Sequence, residues 1–453
     1  MSFKLKPLTQ HLLLAGLISI SPLAAQAADN DADARIEKLE QQVNLLLEKL
    51  EQQNVQLNQQ QEDIQSTKAV TKNAVIAKTN GRSLSFESAD GDFKAQIGGR
   101  IQADAAFYDS EIPSGDGTDF RRLFVDLRGT VYKDWDYRFQ YDFARPNGSS
   151  STRGVRDAYF KYTGLNIGNI TVGQFKAPFG LEHLTSSLNS TFLERGLNHV
   201  FTPDRRIGVG FDTANDNWTF AVGGFGSPAE ESEDNSSNDS DEGWNLIGRL
   251  TATPVKTDNG FIHLGLAARQ NWAQDTDGTV RFRERPEVRV DGARLVDTGS
   301  IAGVDDSQSY GLEFATVYGP FSVQSEYIQT KLKRDGASDL DFDGWYAYAS
   351  YFLTGESRAY KNGIFDRTKP KSPVGKGGYG AWEVAARYST LDLNDDTVTG
   401  GELDNATLGV NWYATDNIRF AANYVKVLDV DRPGNANDDL DGDIFAVRAQ
   451  VDF

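Results

Sequence analysis

The chain has 453 residues, no cysteine and a formal net charge of −19 at pH 7. Without thiols it can form neither disulfides nor thiolate metal sites, and so acidic a chain lacks the basic face that nucleic-acid binding requires. Its mean hydropathy of −0.49 excludes a helical membrane protein. A membrane β-barrel is still allowed, because only every second residue of its strands faces lipid.

The first 27 residues have the pattern of a secretory signal peptide. Lys4 and Lys6 precede an apolar run over residues 12–20, and Ala25-Gln26-Ala27 offers small residues for cleavage. A signal anchor is the alternative, but the apolar run is short for a membrane span. The sequence therefore predicts export from the cytoplasm and removal of residues 1–27.

Residues 33–66 are predicted to form a coiled coil. Apolar residues recur at the 3–4 spacing of a heptad, and Gln53 and Gln60 fill the remaining core positions. The apolar positions are Ile36, Leu39, Val43, Leu46, Leu50, Leu57 and Ile64. This pattern indicates self-association, and a single amphipathic helix lying on a domain is the alternative. Residues 67–92 are interpreted as a linker.

From residue 93 to residue 453 the apolar residues alternate with polar ones, which is the period of a β-strand. In the first such segment Ile97, Ile101 and Ala103 share one face, while Arg100 and Asp104 share the other. Sixteen segments of this kind can be counted, and bacterial barrels have an even strand number. The predicted fold class is therefore all-β, a sixteen-stranded antiparallel transmembrane β-barrel preceded by a periplasmic coiled-coil helix.

The connections between these segments alternate in length, as in an outer-membrane barrel with short periplasmic turns and long outer loops. The long ones are residues 108–120, 144–153, 177–204, 225–243, 273–307, 334–342, 391–402 and 429–442. Residues 355–379 are long and basic where a short turn is due, and the residues alone do not account for them. The alternative, a soluble sandwich or propeller, would have mixed loop lengths and no aromatic residues at strand ends.

The connection at residues 177–204 is polar and partly helical, and long loops of this kind are usually functional. Together with Lys176 it carries His183 and Arg195. We expect it to fold into the barrel and narrow it.

Enzyme chemistry finds little support in the sequence. The four histidines (His11, His183, His199 and His263) have no obvious acid or nucleophile partner. Neither a nucleophile elbow nor a zinc-type spacing is present. The sequence therefore predicts no catalytic residues, no cofactor and no metal site. A barrel hydrolase would need paired catalytic residues on the outer rim.

Arginine falls on the polar, lumenal phase of the strands more often than solvation alone requires. The residues of this set are Arg100, Arg122, Arg128, Arg138, Arg249, Arg269, Arg387, Arg419 and Arg448. Ion pairing with wall carboxylates is one explanation. The second is an anion pore, because guanidinium groups match phosphate and carboxylate oxygens and basic rings favour anions. Two clusters support the pore: Arg121-Arg122, and Arg281, Arg283, Arg285, Arg289 and Arg294 in one loop.

Over about residues 94–453 the chain resembles the phosphate-selective porin O/P family of trimeric sixteen-stranded outer-membrane channels. The resemblance rests on Gly98-Gly99-Arg100-Ile101-Gln102-Ala103-Asp104, Phe120-Arg121-Arg122, residues 173–180 with Leu181-Glu182, Leu193-Glu194-Arg195, Leu353-Thr354-Gly355-Glu356 and Leu408-Gly409-Val410-Asn411-Trp412-Tyr413-Ala414. These motifs are specific in combination. The long connection at residues 355–379 also looks like a family feature.

The resemblance implies which residues form the site. Arg121, Arg122, Ser186, Ser187 and Arg195 match the family's central anion site, and Arg281, Arg283, Arg285 and Arg289 match its arginine ladder. The departures are His183 and Asp136 for lysines, Arg156 for an aspartate, and Phe124 and Lys176 for tyrosines. Anion preference is still expected with these departures, whereas strict phosphate selectivity is not.

The sequence thus predicts a passive outer-membrane porin for small anions, phosphate and polyphosphate among them. Its predicted constriction is formed by Arg121, Arg122, His183, Ser186, Ser187, Arg195 and Lys176. The predicted pore lining and loop ladder are Arg100, Arg128, Arg281, Arg283, Arg285 and Arg289. The expected partners are outer-membrane lipid, small anions and two further copies of the chain, with no nucleic acid. The alternative is a general or differently selective porin that also tethers the outer membrane to a cell-wall or periplasmic partner through its coiled coil.

Overall fold

The computed structural model describes residues 29–72, 74–79, 83–145, 152–229, 243–272 and 278–453. The predicted signal peptide lies outside these residues, as do an acidic stretch at residues 230–242 and part of the predicted linker. The chain divides into two compact units, the first ending at Asn73 and the second spanning residues 74–453.

The described part of the first unit is one helix, α1 (Asp29–Lys72), which contains no glycine or proline. Its apolar stripe is uncovered: Ile36, Leu39, Val43 and Leu50 are each more than half exposed. The predicted helix is therefore present, while its pairing with other helices remains a prediction. Within the described residues, no helix has the length and apolar character needed to cross a membrane.

The second unit is a closed antiparallel β-barrel of sixteen strands, which confirms the predicted barrel. Two short strands come first, β1 (Val75–Thr79) and β2 (Leu84–Ser88). The remaining strands are, in chain order, β3 (Phe93–Tyr108), β4 (Gly117–Val131), β5 (Trp135–Asp142), β6 (Gly154–Leu165), β7 (Gly168–Lys176), β8 (Arg205–Ala214), β9 (Trp218–Phe225), β10 (Trp244–Thr257), β11 (Gly260–Trp272), β12 (Arg283–Glu284), β13 (Val296–Asp297), β14 (Val304–Tyr318), β15 (Phe321–Arg334), β16 (Leu340–Phe352), β17 (Tyr360–Lys361), β18 (Ile364–Phe365), β19 (Ala381–Asp395), β20 (Val398–Tyr413), β21 (Ile418–Asp431) and β22 (Gly442–Asp452).

Strands β12, β13, β17 and β18 lie in connections, and the barrel is made by the other strands from β3 onward. Each of these pairs with the next along the chain, and β22 closes the barrel by pairing with β3. β22 ends beside Gly99, and β2 pairs with the rest of the same edge of β3, from Leu84 opposite Ile97 to Glu87 opposite Lys94. The predicted linker therefore contains a hairpin. Its strands are only five residues long, too short for the period-two pattern to stand out.

The side chains alternate across the wall as the sequence indicated. On β21, Phe420 and Tyr424 point outward and are 43% exposed, whereas Arg419 and Asn423 point inward and are buried. An outward apolar face suits contact with lipid, and an inward polar face suits a water-filled lumen.

Two outer connections differ from their predicted lengths. β19 and β20 are joined by the two-residue turn 396–397, and β15 and β16 by residues 335–339. The predictions of long loops at residues 391–402 and 334–342 were therefore wrong. The strands continue as hairpins, with Asp392 paired to Glu402. Their apolar side chains, among them Leu391, Leu393 and Leu403, are buried, so the apolar phase is the reverse of the lipid-facing one and the continuation of the strands was not recognised.

Candidate functional site

The connection between β7 and β8, residues 177–204, lies inside the barrel and is called the inward loop below. A positive φ of 77° at Gly180 leads into the short helix α2 (Leu181–Leu184), and a 3-10 helix follows at Leu197–Phe201. Phe179, Leu181, Leu197 and Phe201 are all buried. A loop that reads as polar is thus fixed by its few apolar side chains, which pack against the barrel interior.

Three of the predicted lumenal arginines hold the backbone of this loop. Arg419 donates from Nη1 to the carbonyl of Ser190 (2.6 Å) and from Nη2 to that of Thr191 (2.9 Å). Arg448 donates to the carbonyl of Leu193 at 2.6 Å. Arg387 donates to the carbonyl of Glu194 at 3.0 Å. For these three residues the structural explanation of lumenal arginine holds.

The start of the loop is held by a carboxylate of the opposite sign. Glu326 on β15 accepts the backbone N–H groups of Leu181 at 2.6 Å and Glu182 at 2.8 Å. The Tyr346 hydroxyl donates to the same carboxylate at 2.5 Å. Glu326 therefore positions the first turn of the loop, a role that the sequence analysis did not find.

Glu194 connects the inward loop to the barrel wall through ion pairs with wall arginines. Arg121 binds it with both Nε and Nη2, at 2.7 and 2.9 Å, and Arg448 approaches to 3.0 Å. Burial alone would raise the pKa of the Glu194 carboxyl, but Arg121 and Arg122 outweigh it and hold that pKa well below its usual range. Glu194 is therefore ionised, and it neutralises part of the charge of Arg121.

Two other wall arginines keep their charge available. Arg122 donates from Nη1 to Oε1 of Gln102 at 2.9 Å. Arg100 donates to the Ser187 hydroxyl at 2.7 Å and lies over the ring of Phe124 at 4.8 Å. In the described part of the chain, neither guanidinium is within 4.0 Å of a carboxylate.

These groups line a cavity of about 920 Å³ in the barrel interior. Twelve of its lining residues are cationic: Arg100, Arg121, Arg122, Arg138, Arg153, Arg156, Lys161, Lys176, Arg195, Arg205, Arg249 and Arg289. Five are acidic: Asp142, Asp157, Asp204, Asp212 and Asp366. Counted over the lining residues alone, the excess is seven positive charges, within a chain whose net charge is −19. Arg121, Arg138 and Arg249 also bind carboxylates outside this lining, those of Glu194, Asp126 and Glu313.

The predicted constriction residues of the loop have different surroundings. Ser186 and Ser187 line the cavity, as do Lys176 and Arg195. The Nζ of Lys176 donates to loop carbonyls, among them that of Thr185 at 3.3 Å. Arg195 donates to the carbonyls of Glu182 at 3.0 Å and His183 at 3.2 Å. Both cations therefore brace the loop while adding positive potential to the cavity.

His183 does not lie on the cavity. It is 2% exposed, and neither ring nitrogen has a hydrogen-bond partner among the described residues. Its ring stacks on His199 with 5.3 Å between centroids. Burial, reinforced by the charge of Lys176, lowers the pKa of His183 well below its usual value. The structure thus places a neutral imidazole behind the loop surface, where the sequence analysis expected a pore residue.

Residues 278–303, called the outer segment below, also enter the barrel and carry the predicted ladder. Arg289 lies at the cavity, 3.5 Å from Glu194 and 3.2 Å from Glu284. Arg285 donates to the carbonyl of Asp291, and Arg283 is exposed further out.

Glu287 holds the outer segment against the barrel wall, and the charge of Arg281 is neutralised by an ion pair. Glu287 is buried, forms an ion pair with Arg387 at 2.5 Å and accepts from the Thr407 hydroxyl at 2.8 Å, which ties the outer segment to β19 and β20. Arg281 is paired with Asp297 at 2.7 Å and is largely neutralised. Arg128 lies apart from the cavity, half exposed beside Gln96.

A third element enters from the side of the short turns. Residues 353–380 include the hairpin of β17 and β18, and the Gly363 carbonyl accepts from Arg249 at 2.8 Å. The Tyr360 hydroxyl is 2.6 Å from His263, and Arg358 lies 3.5 Å over the Phe365 ring. The hairpin is therefore a third wall of the cavity. The sequence signal for this hairpin is Asn362-Gly363, a preferred two-residue turn, but strands of two residues are too short to show a pattern.

The sequence analysis did not find that several cations on the cavity are paired with carboxylates. Arg156 pairs with Asp204 at 2.6 Å, and Lys161 with Asp212 at 2.7 Å. Arg205 pairs with Asp157. Their inward strand phase was readable, but partners on neighbouring strands are visible only in the fold. Within the described residues, no group of three or more histidine or acidic side chains is arranged to hold a metal ion.

Comparison with known proteins agrees with this geometry. Residues 95–453 match the family described as phosphate-selective porin O and P. Porin O of Pseudomonas aeruginosa is 34% identical over 417 residues, covering 84% of this chain and 92% of Porin O. An uncharacterized protein of Caulobacter vibrioides is 30% identical over 383 residues, or 81% of this chain and 75% of that protein.

Two solved structures share the fold at low identity. An anion-selective porin from Comamonas acidovorans is 15% identical with a TM-score of 0.50, covering 80% of this chain and 100% of the porin. The outer membrane channel DcaP of Acinetobacter baumannii is 11% identical with a TM-score of 0.50, covering 81% and 99%. The closed sixteen-stranded wall with its three inserted segments agrees with the family match over the barrel. That match and the identity to Porin O show that the chain belongs to the phosphate-selective porin O and P family of outer-membrane channels.

Proposed function

We propose that the protein is an outer-membrane porin through which small anions, including phosphate and polyphosphate, diffuse passively. The observation that carries the proposal is the cavity lining, which has an excess of seven positive charges in a strongly acidic chain. Anion selectivity of the Comamonas acidovorans porin and the family's description as phosphate-selective are in keeping with it.

The arrangement of the cations suits conduction as well as binding. Arg283, Arg285 and Arg289 lead from the exposed part of the outer segment to the cavity, where Arg122 and Arg100 follow. A pore conducts when binding is favourable enough for entry and divided among several sites, so that the ion can leave. A series of guanidinium groups at successive depths meets both conditions, since an anion passes from one fork to the next.

Planar-bilayer recording on the full chain tests the proposal. In a potassium chloride gradient, the reversal potential should show that chloride permeates better than potassium. Inorganic phosphate should then reduce the chloride conductance in a saturable way. A reversal potential of the opposite sign would refute the anion porin.

A second role is supported by α1. Its apolar residues at heptad spacing are uncovered in the single chain, and such a stripe is stable in water when it packs against further copies. We propose that three chains assemble into a homotrimer whose α1 helices form a coiled coil in the periplasm. The coiled coil would also reach a periplasmic or cell-wall partner. Chemical cross-linking of the full chain tests the trimer. If most of the cross-linked protein is monomeric at low detergent concentration, the proposed trimer is contradicted.

A further inference from the structure

Part of the cavity lining is aromatic; Tyr159 and Phe175 are called the aromatic sector below. Tyr159 on β6 and Phe175 on β7 line the cavity, with 6.2 Å between their ring centroids. The Phe175 ring meets that of Phe225 on β9 edge to face at 5.2 Å. The unpaired cations Arg100 and Arg122 lie on β3 and β4. Other lining cations, among them Lys161 and Lys176, lie on β6 and β7, so the aromatic rings lie among cationic groups of the lining.

The barrel wall is built to receive these rings. β8 and β9 carry glycines where inward side chains would stand. A Cβ added to Gly210 would lie 2.9 Å from the ring of Phe175, and one added to Gly208 would lie 2.6 Å from that of Phe225. Contacts this short are incompatible with a side chain. The glycines therefore let the two rings lie against the wall, so that the sector is a packed surface.

Other segments extend the apolar surface. Leu184 of the inward loop and Ile364 of the β17–β18 hairpin are half-buried and line the same cavity. Tyr159 and Phe175 are likewise half-buried. When a ligand covers half-buried apolar groups in a water-filled pore, binding is stabilised by about 25 cal/mol for each Å² of apolar surface removed from water.

The size of the cavity points the same way. At about 920 Å³ it lies near the upper end of the range of roughly 300–1,000 Å³ that encloses organic ligands of drug size. A bare oxyanion can be bound by guanidinium groups and hydroxyls such as those of Arg100, Arg122, Ser186 and Ser187, and it has no apolar part to cover the aromatic rings. With such an ion bound, the rings of the aromatic sector would remain in contact with water and would not contribute to binding.

We infer that the cavity selects organic anions: a phosphate or carboxylate head bound by Arg100, Arg122, Ser186 and Ser187, with an aromatic or apolar body against Phe175 and Tyr159. The inference rests on the proposed anion porin and narrows its substrate class. Guanidinium groups and hydroxyls hold the head with charge-assisted hydrogen bonds. Ring stacking and burial of apolar surface hold the body.

The experiment compares two monoesters with the same head group. Phenylphosphate and methylphosphate are titrated as blockers of chloride current through the full chain in planar bilayers. Phenylphosphate should block at about tenfold lower concentration, the ratio that about 1.4 kcal/mol of added ring burial produces. Equal block by the two esters overturns the inference and leaves the anion porin standing. Cation selectivity of the unblocked channel refutes the anion porin itself.

Variants assign the preference to the aromatic sector. Phe175→Leu and Tyr159→Leu should each reduce the ratio between the two esters several-fold. The matched control is Phe282→Leu, which removes a partly buried ring of the outer segment that is not part of the cavity lining. If Phe175→Leu does not assemble, Tyr159→Leu decides alone. A ratio that survives the Tyr159 and Phe175 changes overturns the inference.

Discussion

Arg121 on β4 and Glu194 in the inward loop form a bidentate ion pair, with Nε–Oε1 and Nη2–Oε2 distances of 2.7 and 2.9 Å. The next residue of the strand, Arg122, donates to the amide of Gln102, and no described carboxylate lies within ion-pair distance of it. Two consecutive arginines of one strand therefore have different roles. Arg121 fixes the loop, and Arg122 offers its charge to the pore.

Replacing Arg122 should therefore weaken anion binding more than it weakens the fold. Arg122→Gln should raise the phosphate concentration needed for half-block about tenfold, since a charge-assisted hydrogen bond contributes about 1.5–3 kcal/mol. Titration of chloride current with phosphate measures this. Arg281→Gln is the control, because Arg281 is already paired with Asp297, and its block should match that of the parent chain. Unchanged block in Arg122→Gln would show that its charge is not used.

Replacing Arg121 should act mainly on stability. Arg121→Gln removes both donors from one side of the buried Glu194 carboxylate, and breaking a buried ion pair costs about 3–5 kcal/mol. Thermal unfolding of the purified protein in detergent should move to lower temperature by more than for Arg122→Gln. If the two variants unfold alike, the assignment of separate roles is wrong.

The contact of Glu326 with the loop backbone predicts a loosened constriction in Glu326→Ala. Two buried N–H groups, those of Leu181 and Glu182, would lose their acceptor, at about 1–3 kcal/mol each. Open-channel current noise should rise, and limited proteolysis should cut within residues 177–204. Glu111→Ala, at an exposed outer position, is the control and should change neither. A quiet, protease-resistant Glu326→Ala would mean that the apolar contacts suffice.

Buried, neutral His183 predicts a stability that falls on acidification. Its folded pKa lies well below its usual value, through burial first and then through the charges of Lys176, His199 and Arg195, partly opposed by Asp204. The unfolded chain takes up a proton near pH 6.5, whereas the folded chain excludes it. The contribution is therefore complete above about pH 6.5 and declines as the pH falls below it.

The measurement is the unfolding temperature between pH 7.5 and 5.5. It should fall in the parent chain and fall less in His183→Leu. Anion selectivity should stay constant between pH 7.5 and 6.5, because the imidazole stays neutral there. Selectivity that rises over this interval would show that His183 becomes charged and reaches the pore.

Deletion of α1 separates the channel from its proposed assembly device. A chain lacking residues 33–66 should retain its anion selectivity and single-channel conductance, because every residue of the cavity lining lies beyond residue 99. The proposed trimer should dissociate at lower temperature or detergent concentration without α1 than in the full chain. Loss of conductance in correctly inserted protein would contradict the separation of roles.

Several features could be read from the sequence because they depend on periodicity. The alternation of Phe420 and Tyr424 with Arg419 and Asn423 sets the wall and its two faces, whatever the neighbouring strand. The inward loop was visible as a long interruption of a regular strand series. Strand extension beyond the membrane was not, because in the hairpin around Asp392 and Glu402 the buried phase is apolar (Leu391, Leu393 and Leu403) and the outward phase is polar, the reverse of the lipid-facing pattern.

The roles of individual cations depended on partners distant in the chain. Arg448 and Arg122 have the same residue type and the same strand phase, yet the first is bound by Asp104 and Glu194 while the second has no described carboxylate within 4.0 Å. The inward-facing glycines of β8 and β9 and the aromatic rings above them come together only when the barrel closes.

By itself the sequence determined the barrel, the direction of its faces, the inward loop and the positive character of the pore. Each of these follows from a local rule, namely side-chain alternation, loop length or residue type. Only the tertiary structure decided that His183 is buried, that Arg387, Arg419 and Arg448 hold the loop, and that aromatic rings line the cavity. Charge availability and exposure depend on distances of a few ångströms between segments hundreds of residues apart, and those distances are fixed by packing.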